Sequence, residues 1–156
     1  MRQCRTSLFA AVFVLVASMA VVGVRATPLD GHDCYSKDIM RRIEGCAELL
    51  KLPHLAPSVR AQAFALRALA LSLIRRYDEA IADYDRSLAI QPNHAVTLNN
   101  RAWALYKSGR IAEALPDVEK NLRCDNTSQH AFYTRAHVRK ARGEAAAAYR
   151  DYRRAM

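Results

Sequence analysis

The side chains of this chain that can ligate a metal or do acid–base work are few and scattered. His32, Asp33 and Cys34 stand together, and imidazole, carboxylate and thiolate are all metal ligands. Three consecutive residues rarely converge on one ion without a second cluster, so no metal is expected there. His130 and His137 are seven apart and can share a helix face. They make a weak ligand pair, set against a solvated or groove-lining role. Asp78, Glu79, Asp83 and Asp85 read as helix-surface acids, the first two suited to the positive first turn of a helix. A catalytic pair of carboxylates needs a cleft, which the pattern does not supply. The chain has no glycine-rich phosphate loop, no GxSxG, no HExxH and no CxxC. The expectation is a protein that is not an enzyme, with no catalytic residues, no cofactor and no metal.

The elements that would carry these residues repeat. Residues 61–94, 95–128 and 129–156 align without gaps at a period of 34, and a period of this size marks a stacked array. Ala68, Ala102 and Ala136 recur in the first helix of each unit, where two helices must approach closely. Ala80, Ala114 and Ala148 recur in the second, followed four residues later on the same face by Tyr84, Val118 and Tyr152. Leu88, Leu122 and Met156 continue that stripe. Gly109 and Gly143 sit at the turns between the helices, where a positive φ closes a helix cheaply. Arg75 holds the glycine place in the first unit, which weakens the expectation of the same turn there. Pro92 stops one unit; Pro116 lies early in a second helix, harmless in the first turn and kinking one turn later.

This pattern closely resembles the tetratricopeptide repeat family over residues 61–156. The family's bulky fourth place is held by Phe64, Leu98 and Phe132, and its aromatic seventeenth by Tyr77, Ile111 and Ala145. Ser87, Asn121 and Ala155 hold a place the family keeps small, and Asn121 is larger than usual there. The resemblance implies an all-α fold: a right-handed helical-hairpin solenoid with three repeats, the third truncated at Met156. Upstream, Ile43, Cys46 and Leu50 fall in register with Tyr77, Ala80 and Tyr84, so residues 38–52 read as a lone second helix ended by Pro53 and Pro57. That helix, within an arm spanning 27–60, would cap the array, which needs its ends covered.

What the resemblance implies for function is a groove lined by the first helices. The family's groove-facing places fall here on Leu69 and Leu73, then Asn99, Trp103, Tyr106 and Lys107, then His130, Tyr133, His137 and Lys140. The groove would grade from apolar through aromatic to basic, with Trp103, Tyr106 and Tyr133 as rigid contact area; packing alone is the other role open to Trp103. Some family members clamp a peptide's terminal carboxylate. Asn100 matches one clamp place, whereas Ala65, Leu69, His130 and Thr134 occupy the others, so that clamp is not expected. Lys107 and Lys140 would still draw an acidic segment. The implied function is a protein–protein interaction scaffold; the alternative is a structural homo-oligomer joined through the open C-terminal repeat.

Residues 1–26 read as a secretory signal peptide: Arg2 and Arg5, an apolar run from Leu8, and Val24-Arg25-Ala26 before the composition turns polar. The alternative is an uncleaved inner-membrane anchor, since an apolar run of roughly 17 residues is at the short end of what spans a bilayer. Removing the three leader arginines lowers the formal charge from +9 to +6. A basic face suits acidic proteins, anionic lipid or nucleic acid, but an exported protein rarely meets nucleic acid, so none is expected. A periplasmic or secreted location implies an oxidising compartment, in which Cys34 and Cys46 would pair, pinning the arm by about 2–3 kcal/mol and leaving Cys124 over.

Overall fold

The computed structural model describes residues 31–156; the leader and the start of the arm lie outside the described residues. A 3-10 turn at His32–Tyr35 precedes seven α-helices: α1 (Ile39–Leu50), α2 (Pro57–Leu73), α3 (Tyr77–Ile90), α4 (Ala95–Lys107), α5 (Ile111–Cys124), α6 (Gln129–Ala141) and α7 (Ala145–Ala155). Helices α2/α3, α4/α5 and α6/α7 form hairpins, and α3 and α5 pack onto the first helix of the unit that follows. The result is the expected right-handed solenoid, capped at one end by α1. Among the described residues no strand is present, and no helix is long and apolar enough to cross a membrane.

The repeated alanines explain the close packing. Ala68, Ala102, Ala136, Ala80 and Ala114 are fully buried, with Ala148 nearly so. Around them Leu71, Ile81, Tyr84, Leu105, Val118 and Phe132 make one continuous core. Ile43 of α1 packs against that core, so the cap helix does for α2 what α3 does for α4.

The cap is held by the Cys34–Cys46 disulfide. Gly45 lies so close to the 3-10 turn that an added Cβ would sit 2.5 Å from the backbone carbon of Asp33 and 2.6 Å from the Cys34 nitrogen. Among the described residues no cysteine is free, so Cys124 is not the spare thiol that pairing Cys34 with Cys46 implied. Pro57 does not end α1; it opens α2 at the first helical position, where a missing N–H costs nothing.

All three hairpins turn in the same way. Gly109 and Gly143 have φ of 83° and 79°, and Arg75 adopts the same left-handed conformation at 64°. In each turn the next amide donates back five residues: Arg76 to Leu71, Arg110 to Leu105 and Glu144 to Arg139, at 2.8–2.9 Å. The same turn therefore forms in the first unit although arginine holds the glycine place. Asn121 is also explained: its Nδ2 donates to the Ala95 carbonyl at 2.9 Å, as the Ser87 hydroxyl donates to that of Ala61 at 2.8 Å. Pro116, sixth in α5, is exposed, and the helix runs through it without interruption.

Candidate functional site

Helices α4, α6 and α7 bring four rings together around the imidazole of His137. Its imidazole lies 4.6 Å from the Tyr133 ring, 5.4 Å from Trp103, 5.5 Å from Tyr106 and 5.4 Å from Tyr152, centroid to centroid. Trp103 in turn lies 5.3 Å from Tyr106 and 6.1 Å from Tyr133. Most of these contacts are tilted or edge-on, the geometries that ring quadrupoles favour. Helical spacing supplies the alignment: Trp103 and Tyr106 are three apart on α4, and Tyr133 and His137 four apart on α6. None of the five rings is buried, and Tyr133 is 48% exposed, so the cluster forms a surface and not a core.

The surface is positively charged. The Lys107 ammonium stands 5.7 Å from the Trp103 ring centroid. Partial burial lowers the pKa of His137, and Lys140 and Lys107 lower it further. Burial also raises that of Tyr152, with smaller contributions from Tyr133 and Tyr106.

Of the groove residues expected from sequence, Trp103, Tyr106, Lys107, Tyr133 and His137 converge, and Lys140 acts on them through its charge. Leu73 is exposed on α2 and Leu69 half-buried, one turn before it. Asn99 is half-buried on α4 with its Oδ1 enclosed and unpartnered. His130 is exposed in the first turn of α6 and takes no part in the ring cluster. The repeat register places Tyr152 in the packing stripe with Tyr84 and Val118. Those two are buried, whereas Tyr152 is half-exposed against Tyr133 and His137 and belongs to the ring cluster.

A second set of residues pairs across helices in a way the repeat register alone does not show. Asp83 is not a surface acid: it is 2% exposed and accepts two hydrogen bonds from the Arg67 guanidinium at 2.6 and 2.8 Å. Arg101 grips Asp117 in the same way at 2.7 Å twice, and Arg135 grips Asp151 at 2.8 and 2.7 Å. Asp85 is exposed, as expected, yet reaches across units to Arg101 at 2.6 Å. The signal was present, since arginine sixteen residues before aspartate recurs in every unit. These fork-to-fork pairs stitch each hairpin from the side.

Among the described residues no three of His, Cys, Asp and Glu form a group able to hold a metal, and Cys34 is committed to its disulfide. Two clefts of about 250 and 410 Å³ lie away from the rings, lined by members of the ion pairs such as Asp117 and Arg101 in one and Asp83 and Arg67 in the other.

Comparison with known proteins agrees with this architecture. Tetratricopeptide repeat family models match residues 61–94 and 83–115. A tetratricopeptide-repeat-containing thioredoxin from Arabidopsis thaliana is 42% identical over 65 residues, covering 42% of this chain and 9% of that protein. DnaJ homolog subfamily C member 7 of Mus musculus is 34% identical over 85 residues, covering 51% of this chain and 16% of its relative. The chain thus spans a small part of these relatives. Among solved structures, a MamA fragment from Desulfovibrio magneticus superposes with a TM-score of 0.69 at 17% identity, covering 80% of this chain and 69% of that one. A further MamA crystal structure gives 0.65 at 17% identity, covering 75% and 66%. With the three-fold register, the repeated turns and the stacked hairpins in agreement, residues 61–115 carry tetratricopeptide repeats, and the described fold is that of such an array.

Proposed function

We propose that this protein is a non-enzymatic interaction scaffold of the cell envelope that binds a partner segment in its concave groove, centred on Trp103, Tyr133 and His137. The observation that carries this reading is the ring cluster itself. Five rings from three helices converge while remaining partly open to solvent, and exposed aromatic area is where binding energy concentrates. The Cys34–Cys46 bridge supports the location, since a lasting disulfide needs an oxidising compartment.

The test is crosslinking and pull-down of the protein from its own envelope, compared with a Trp103→Ala, Tyr106→Ala variant. Loss of specific partners from the variant is expected; equal capture by both would remove the site. The second reading, self-association through α7, is favoured by Tyr149, which is 64% exposed where its counterpart Ile81 is buried. A single monomeric species in light scattering at high concentration would eliminate it.

A further inference from the structure

An aromatic patch can receive an apolar side chain or a cation, and the rings alone do not choose between them. The surrounding charge does. Lys107 already stands over the Trp103 ring, and Lys140 follows His137 by one helical turn. Both lysines are exposed, and neither has a carboxylate within salt-bridge distance among the described residues. Most acids of this half of the molecule are engaged with arginines, Asp117 with Arg101, Asp151 with Arg135 and Arg139, Glu113 with Arg110 and Glu144 with Arg142, while Asp125 accepts from Thr127. A cationic guest would therefore meet two uncompensated ammonium groups, whereas an anionic one would neutralise them.

Resting on the groove reading above, we propose that the occupant is an acidic peptide segment bearing an aromatic or aliphatic side chain. That side chain seats on Trp103, Tyr133 and His137, and flanking side-chain carboxylates reach Lys107 and Lys140. Recognition then needs no terminal carboxylate. The rings supply most of the contact area, and the lysines supply selectivity and speed of encounter.

The chain has a single tryptophan, so the Trp103 indole N–H is an unambiguous reporter in heteronuclear NMR. Three short peptides with amidated C-termini serve as probes: one of glutamate and phenylalanine, one of lysine and phenylalanine, and one of glutamate and serine. The glutamate–phenylalanine peptide should shift the Trp103 resonance and bind about ten-fold tighter than the lysine–phenylalanine peptide, because it forms two exposed ion pairs where the other meets like charge, and tighter than the glutamate–serine peptide, which lacks the apolar anchor. The preference should fade as salt rises and reverse in a Lys107→Glu, Lys140→Glu variant, whose two exposed positions leave the packing intact. Equal binding of the glutamate and lysine peptides at Trp103 would overturn the acidic preference and leave the groove reading standing. Equal binding of the serine peptide would overturn the apolar anchor. Calorimetric binding that leaves the Trp103 resonance unmoved would overturn the groove itself, and no binding of the glutamate–phenylalanine peptide would overturn this proposal.

Discussion

Replacing Arg101 by alanine isolates the contribution of the side ladder. Arg101 makes two hydrogen bonds to Asp117 and one to Asp85, and the Asp117 side chain is only 9% exposed. The truncation strands the Asp117 carboxylate in a poorly hydrated place, the situation that makes breaking a buried pair cost about 3–5 kcal/mol. Because Arg101 is itself partly open, water can enter, and the lower end of that range, about 3 kcal/mol, applies. Arg110→Ala provides the control. It removes an equally well-formed fork to Glu113, but both partners are exposed and solvent-screened, so the loss should be far smaller. Chemical denaturation with two probes, α-helical ellipticity and Trp103 fluorescence, measures both variants and shows whether the array unfolds as one unit. An Arg101→Met, Asp117→Leu double variant should recover most of the loss, because no charge is then left unpaired. If Arg101→Ala costs no more than Arg110→Ala, the ladder is decoration and the reasoning from burial fails.

Other outcomes follow from single residues. Arg75→Gly should stabilise the protein by about 1 kcal/mol in thermal unfolding, since the left-handed φ of 64° costs a non-glycine residue about that much. Gly45→Ala should destabilise by about 2 kcal/mol, despite alanine's better helix propensity, because the new methyl group meets the backbone at Asp33 and Cys34. It should also quicken reduction of the Cys34–Cys46 bridge by dithiothreitol. His137 takes up its proton less readily in the fold than in the unfolded chain, chiefly through burial and then through Lys140 and Lys107. The unfolded state therefore binds more protons, and stability should fall as pH drops below the ordinary histidine range and level off once folded His137 is charged. His137→Asn should flatten that segment of the stability–pH curve.

The repeat is legible along the chain: its period, the hairpin in each unit, the small residues at helix crossings and the cap in register upstream. These follow from local rules, since helical spacing and turn residues act over a few positions and recur whenever the unit recurs. The sequence also names the residues of the ring cluster, apart from Tyr152, through the groove places of the family. Which rings meet depends on how the hairpins stack. Tyr84 and Tyr152 occupy the same place in their units, yet one is enclosed by neighbouring helices and the other lies partly open against His137. The same holds for Asp83, which as a residue type belongs at the surface and is buried because Arg67, sixteen residues earlier, crosses to meet it. Burial and pairing are properties of two helices at a fixed distance, and a periodic pattern read along one chain carries that distance only after the hairpins have stacked.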